Sequence, residues 1–481
     1  MLNAFFKPIH KGDVFLNFIA GKWVPSSDND TFHVVNPFKQ EVIGSVQNTN
    51  PSDIKLAVES GKRGRINSAS LTVKDRSIIL SKCSKILREY KDEFVNMLAL
   101  ESGKPLVWSN GEVNASIEFL VETSKEALKI KSENLISKDK KTKVLISYKP
   151  VGLIAAITPF NYPLFSVVSK FASGFAGGNS IIMKPASNTP ISALMFTKVA
   201  MESGVPKDVL NTVTGKSSKI GNSLVSDNDV NMVNLTGSTS AGESVLKNGG
   251  VKKYLLELGG KGAALILDDA DLDLAAKECV NGCFKQSGQR CDAVSRVLII
   301  DKLADKFVKK VLPLVHELKI GDPFDNCVSV GPLITENAVR YVKDLINDAE
   351  EKKAKVLIGG NYNGQVMEPT VIDYVTSNMR IAKEEIFGPV MPIIRVKDEA
   401  EAIILSNNSE YGLDSCVFSK SVKNALKVGA MLDDGSTTIN KSPGHGIGEF
   451  PFGGNKKSGI GREGVKDSIY ECMTKKVLKY Y

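Results

Sequence analysis

Cys291 follows Ser287-Gly288-Gln289-Arg290, and Glu257 stands 34 residues earlier within Leu256-Glu257-Leu258-Gly259-Gly260-Lys261. A cysteine after a Gly-Gln-Arg step is a candidate nucleophile, because an adjacent guanidinium and free backbone N–H groups favour the thiolate. A glutamate closing a short apolar stretch is a candidate base. Together they suggest attack on a carbonyl carbon, followed by release of the acyl group to activated water. Each residue alone has a plainer reading. A cysteine is by default a small buried hydrophobe, and a Gly-Gly pair is an ordinary turn. The order of further motifs decides between the two.

The elements that must position this pair read as α/β. Gly152–Ile157 is a continuous apolar run, as suits a strand buried on both faces. Strands follow over 180–184, 209–213, 231–236 and 253–258, with helices over 190–203, 218–225 and 240–248 between them. That alternation argues for a doubly wound sheet. Thr236-Gly237-Ser238-Thr239 sits between a strand and a helix, where backbone N–H groups and the helix dipole can hold a pyrophosphate. It reads equally well as an ordinary N-cap.

After Gly262 a second set begins. It has a strand over 263–267, a helix over 272–285 leading to Cys291, and strands near 296–300, 354–358, 390–396, 413–418 and 435–440. Asp268, Asp269 and Asp271 complement the dipole of the helix they precede rather than gather a cation. Upstream, the pattern gives short strands over 15–46, an amphipathic helix over 75–100 stopped by Gly103 and Pro105, and a second helix over 111–130. Lys138–Lys143 reads as a solvated hairpin edge beside a strand at Val144–Tyr148, and Val477–Tyr481 as a final strand.

Composition narrows the function. A chain of 481 residues with 42% hydrophobic content is too long for one ordinary core, and two or three domains are expected. The net charge of +8 is spread along the chain, which argues against a nucleic-acid partner and is compatible with anionic substrates or cofactors. The seven cysteines are odd in number and lack a framework spacing, as expected in a reducing cytoplasm. The four histidines have no metal-ligand spacing, so no metal is expected. No signal peptide is visible, and no run approaches the ~20 apolar residues of a membrane span.

Seven motifs then occur in a specific order: Thr158-Pro159-Phe160-Asn161-Tyr162-Pro163, Lys184-Pro185-Ala186-Ser187, Thr236-Gly237-Ser238-Thr239, Leu256–Lys261, Gly288–Cys291, Lys383-Glu384-Glu385-Ile386-Phe387-Gly388-Pro389 and Pro451-Phe452-Gly453-Gly454. In this order they resemble the aldehyde dehydrogenase superfamily from about Phe18 to the end. The Phe-Asn-Tyr-Pro and Gly-Gln-Arg-Cys variants, with the segment from His445 to Gly454, look most like its non-phosphorylating, NADP-dependent glyceraldehyde-3-phosphate dehydrogenases.

The resemblance implies an α/β, aldehyde dehydrogenase-like fold of two doubly wound domains plus a small β oligomerisation arm. The cofactor-binding domain would take 1–130 and 150–257, the catalytic domain 258–440, and the arm 131–149 and 460–481, within a homotetramer or dimer of dimers. It implies Cys291 as nucleophile, Asn161 with the Cys291 N–H as oxyanion donors, and Glu257 as the base that activates water. Thr158, Pro159, Phe160, Lys184, Ser187, Gly237, Ser238, Gly259, Glu385 and Phe387 would hold the cofactor. Lys184 would meet the adenosine ribose, Ser238 the pyrophosphate and Glu385 the nicotinamide ribose. Arg290, Tyr162 and Asn161 would meet an anionic aldehyde, glyceraldehyde 3-phosphate.

Ser187 stands where NAD-preferring members carry a glutamate, which favours NADP, or use of both NADP and NAD, over strict NAD. Oxidation of an unphosphorylated aldehyde such as glyceraldehyde, lactaldehyde or a semialdehyde stays open. A CoA-acylating relative would lack Glu257, and a non-catalytic homologue would have lost Cys291 or Asn161. A Cys-His hydrolase finds no placed histidine.

Overall fold

The computed structural model describes residues 2–138, 141–444 and 446–481. Its first large sheet is built on five parallel strands. Across the sheet they run Lys253–Glu257, Met232–Thr236, Leu153–Ile157, Ser180–Lys184 and Leu210–Thr212. Helices on both faces leave these strands almost wholly apolar and buried. Antiparallel strands Asn17–Ile19 and Lys22–Val24 extend one edge, and Gly459–Ile460 caps the other. Leu153–Ile157 lies between Ser180–Lys184 and Met232–Thr236, from which the sheet grows in opposite directions, and such a switch point opens a crevice at the carboxyl ends of the strands.

The second large sheet has seven strands in the order Lys355–Ile358, Thr370–Asp373, Val390–Val396, Arg296–Ile300, Ala263–Ile266, Asp414–Phe418 and Ser436–Ile439. Only Lys355–Ile358 runs antiparallel to its neighbour. A third sheet, of three antiparallel strands, joins Glu133–Ile136, Lys143–Pro150 and Met473–Tyr480. It leaves Leu135, Ile136, Val477, Leu478 and Tyr480 exposed. The expected hairpin edge falls partly outside the described residues, at Asp139 and Lys140, but the strands on either side of it pair.

The helices before the first sheet differ from the sequence pattern. The single helix expected over 75–100 is two, Val73–Glu89 and Lys91–Ser102. Tyr90 breaks it, with its ring stacked on Phe5 at 4.3 Å and edge-on to Phe6. The N-terminal segment that supplies those rings is distant in sequence, so local periodicity carries no sign of the break. The helix expected over 111–130 spans Leu106–Ala127, beginning directly after Pro105. A helix at Pro51–Ser70 carries Gly61 and Gly64 in its interior, residues that locally argue against a helix. A Cβ at Gly64 would stand 2.0 Å from the Asp208 carbonyl oxygen, so glycine is kept for a close approach to the neighbouring chain.

One buried pair fixes the helix that follows Asn161 and Tyr162. In the helix Pro163–Ala176, the N–H groups of Leu164 and Phe165 donate to Glu112 Oε1 at 2.9 and 3.0 Å. The other carboxylate oxygen takes the Lys104 ammonium, and that ammonium lies 4.3 Å from the centre of the Tyr162 ring. Both charged side chains are 1% exposed. Glu112→Ala would leave Lys104 buried and unpaired and strip two N–H donors of their acceptor. It should cost about 3–5 kcal/mol, the usual price of breaking a buried ion pair. Denaturant unfolding measures this, and a loss below about 1 kcal/mol would show the pair to be marginal.

Candidate active site

The helix Leu272–Phe284 is capped by Asp271, whose carboxylate accepts the N–H groups of Asp273 and Leu274. Asp268 pairs with Lys302, and Asp269 accepts from Ser419 and Ser421, so the three acids serve local structure. At its far end the helix stops one residue short of the expected boundary. Gln286 and Ser287 then take left-handed backbone, with φ of 54° and 57°. This tight reversal delivers Cys291 into a cleft lined by strand ends of the first sheet and by helix and loop residues such as Thr335, Ala338, Tyr341 and Glu385.

Glu257 ends its strand, and the chain leaves through Gly259-Gly260. A Cβ at Gly260 would stand 2.4 Å from the Cys291 carbonyl oxygen, so only glycine lets the two segments cross. At Gly259 a Cβ would meet Glu385 Oε2 at 2.8 Å and Thr239 Oγ1 at 2.9 Å. The pair is therefore a crossing point between base, nucleophile and cleft wall, rather than a plain turn.

The cleft holds about 880 Å³ and follows the switch point of the first sheet. Thr158, Pro159, Phe160, Lys184, Ser187, Gly237, Ser238, Gly259, Glu385 and Phe387 all line it, together with Asn161 and Cys291. These residues fit a nicotinamide dinucleotide. The Lys184 ammonium is buried, donating to the Pro185 carbonyl at 3.2 Å, and burial lowers its pKa to about 8. An anion beside it would restore the charged form. Ser238 caps the helix Thr239–Gly249, accepting from the Ala241 N–H at 3.2 Å, so the cap stands where a helix N-terminus could meet a pyrophosphate. Burial pushes Glu385 up to about 7 against the pull of the Gly260 N–H, which donates at 2.9 Å, and of nearby Lys261. The rings of Phe160 and Phe387 meet edge-on at 5.7 Å.

Around the nucleophile the geometry is equally ordered. Asn161 donates one amide hydrogen to the Gln289 carbonyl at 3.0 Å, which leaves the second free for an oxyanion. Gln286 in turn donates to the Asn161 carbonyl. Glu257 is 3% exposed, and neither carboxylate oxygen has a hydrogen-bond partner. Burial raises its pKa well above the carboxylate range. Glu463 adds to the rise, and Lys170 and Arg462 oppose it.

Arg290 was expected to favour the thiolate. It does pull the Cys291 pKa down, but burial and the acids Asp292, Glu257 and Glu385 outweigh it, and the thiol stands well above its ordinary value. Arg290 itself bonds Asp292 at 2.9 Å and the Pro443 carbonyl at 3.3 Å, while its Nε has no partner. Tyr162 packs between this pair and Lys104, and burial raises its phenol. Neither Arg290 nor Tyr162 lines the dinucleotide cleft.

Several contributors escaped the sequence reading. Lys104 and Glu112 lie far from the motifs, and Gly103-Lys104-Pro105 read only as a helix stop. Gln286 and Gln289 act through the amide and backbone contacts given above, while Glu463 and Lys170 meet Glu257 from distant strands and helices. His445, part of the segment that carried the resemblance, lies outside the described residues.

The aldehyde dehydrogenase family description matches residues 23–478. The chain belongs to the aldehyde dehydrogenase family. This aldehyde dehydrogenase is 40% identical to the NADP-dependent glyceraldehyde-3-phosphate dehydrogenase of Streptococcus equinus, over 96% of this chain and 97% of that one. It is 35% identical to a lactaldehyde dehydrogenase of Methanococcus maripaludis, over 96% and 99%. The solved NADP-dependent glyceraldehyde-3-phosphate dehydrogenase of Bacillus halodurans, complexed with NADP, superposes with a TM-score of 0.95 at 34% identity, covering 97% and 98%. The activity class of the aldehyde dehydrogenase is therefore NAD(P)-dependent aldehyde oxidation. No helix among the described residues is long and apolar enough to cross a membrane.

Because the Glu257 pKa is raised, its basic form grows only as pH climbs past the ordinary carboxylate range. Steady turnover should rise with pH through that raised value and fall below it. Glu257→Gln should give one burst of reduced cofactor followed by little further turnover. Stopped-flow absorbance reads both, and normal steady turnover in the variant would assign the base to another group.

Proposed function

We propose that this aldehyde dehydrogenase oxidises glyceraldehyde 3-phosphate to 3-phosphoglycerate, with NADP as oxidant and water as acyl acceptor. The observation that carries the reading is the gathering of cations on the aldehyde side of Cys291. The Lys285 ammonium feels the charges of Arg290, Asp292, Lys104 and Lys441. Three of these four are cations, and Asp292 and Glu112 are held by Arg290 and Lys104. A phosphate gains from such a wall, and an uncharged aldehyde gains nothing. The relative from Streptococcus equinus supports the same choice by its name.

In this reading the Cys291 thiolate bonds the carbonyl carbon, and Asn161 with the Cys291 N–H donates to the oxygen that becomes negative. The nicotinamide ring supplies the acceptor for the hydride that leaves that carbon. The resulting thioester is attacked by water. Glu257 takes a proton from that water, the new C–O bond forms, and the carbon–sulfur bond breaks to return the thiolate and a carboxylate. With no hydrogen-bond partner on either oxygen, the Glu257 carboxylate in its ionised form is suited to accept that proton. The exposed apolar residues of the three-stranded sheet provide the contact of a homotetramer or dimer of dimers within the same reading.

NADP is supported by the neighbourhood of Lys184. The Ser187 hydroxyl bonds the Gly215 carbonyl at 3.1 Å, and the lining beside it is Asn188 and Ser217, with no acid to repel a 2′-phosphate. NADP affinity should weaken as pH rises through about 8, where the Lys184 ammonium is lost. Ser187→Glu should move preference towards NAD. Titration of both cofactors by protein fluorescence checks this, and a variant with unchanged preference would remove Ser187 from the selection.

A second reading, oxidation of an uncharged aldehyde, is favoured by the bond from Arg290 to Asp292, which already occupies the guanidinium. The lactaldehyde dehydrogenase relative fits it. The two readings part at Arg290→Ala. If Arg290 meets a phosphate, kcat/KM for glyceraldehyde 3-phosphate should fall by roughly 10- to 150-fold, the worth of one charge-assisted hydrogen bond, with much less loss on glyceraldehyde. Equal losses on both would leave Arg290 as the partner of Asp292 and put the uncharged aldehyde first.

A further inference from the structure

We infer that Lys285 is a specificity-determining residue, and that its ammonium reads the negative charge of the aldehyde. This rests on the anionic-aldehyde reading and goes beyond it by assigning the charge recognition to a residue outside every motif above. Two of the buried cations on this side of Cys291 are already committed: Lys104 to Glu112, and Arg290 to Asp292. Lys285 makes no ion pair among the described residues, and the acid whose charge acts on it, Asp292, is the one Arg290 holds.

Its place is set by the fold. Lys285 ends the helix Leu272–Phe284 and opens the left-handed turn that delivers Cys291, six positions before the nucleophile. Its ammonium lies 5.0 Å from the centre of the Trp108 ring, and the Trp108 indole is itself held by a 2.8 Å hydrogen bond to the Ser329 carbonyl. A cation over an anchored aromatic face is held in place by the attraction of the ring.

Like Arg290 and Tyr162, Lys285 is absent from the wall of the dinucleotide cleft. In this inference it stands, with them, on the side of Cys291 from which the aldehyde approaches. A half-buried ammonium with no carboxylate of its own, among other cations, is the group with most to gain from an incoming anion.

The test uses the full-length enzyme with saturating NADP, and glyceraldehyde 3-phosphate and glyceraldehyde as paired substrates. Lys285→Gln should raise KM for the phosphorylated aldehyde about tenfold, with kcat, NADP affinity and activity on glyceraldehyde near wild type. Lys285→Glu should raise that KM further, and Lys285→Arg should restore it, which a merely structural lysine would not require. If wild type prefers the phosphorylated aldehyde and Lys285→Gln keeps that preference, this inference is overturned while the anionic-aldehyde reading stands. If wild type is indifferent to the phosphate, both fall together. Equal losses of Lys285→Gln on both aldehydes, or lost NADP binding, would mark a structural role and overturn it as well.

Discussion

The approach of Gly260 to the backbone of Cys291 is the constraint on which the site depends. Glu257 ends a strand of the first sheet, while Cys291 leaves a helix of the second. Base and nucleophile can share one aldehyde only if the chain after Glu257 passes the nucleophile's carbonyl, where a Cβ would have 2.4 Å of room. Gly259 makes the same concession towards Glu385. The Gly260 N–H then holds Glu385, so the crossing also sets the carboxylate at the nicotinamide end of the cleft. A single pair of glycines thus ties nucleophile, base and cofactor wall into one geometry.

Around this crossing the molecule keeps ionisable groups out of water without giving each its counter-charge. Glu257 and the Lys261 ammonium have no hydrogen-bond partner, Lys184 has a backbone carbonyl, and Glu385 one N–H donor. Burial moves each towards its neutral form. Such groups cost stability, and the surrounding core has to offset that cost. In return they respond to whatever charge arrives. Structural charges in the same region are treated differently: Glu112 satisfies Lys104 and two helix N–H groups at once.

Much of this was legible in the sequence because it is local. Alternating apolar strands and helices gave the two large sheets, and Thr158, Lys184, Gly237 and Ser238 sit at or just past strand ends, where motif order alone places them. What was hidden depends on contacts between distant segments. Tyr90 breaks a helix because Phe5 stacks on it, and Gly61 and Gly64 sit in a helix because the neighbouring chain presses close. The thiol of Cys291 stands high because burial, together with acids from three segments, outweighs the adjacent Arg290, a balance that adjacency in the chain misjudged. Lys104, Glu112 and Glu463 have no spacing to the motifs that could have disclosed them.

The central claim is that the acyl group passes through a covalent bond to Cys291 before water removes it. Acid-quenching the wild-type enzyme within its first turnover, followed by peptide mass spectrometry, tests this most directly. The peptide containing Cys291 should carry the added mass of the acyl group, and it should return to its free mass as the carboxylate product accumulates. Reduced cofactor formed with Cys291 unmodified, or with the adduct on another residue, would contradict the account.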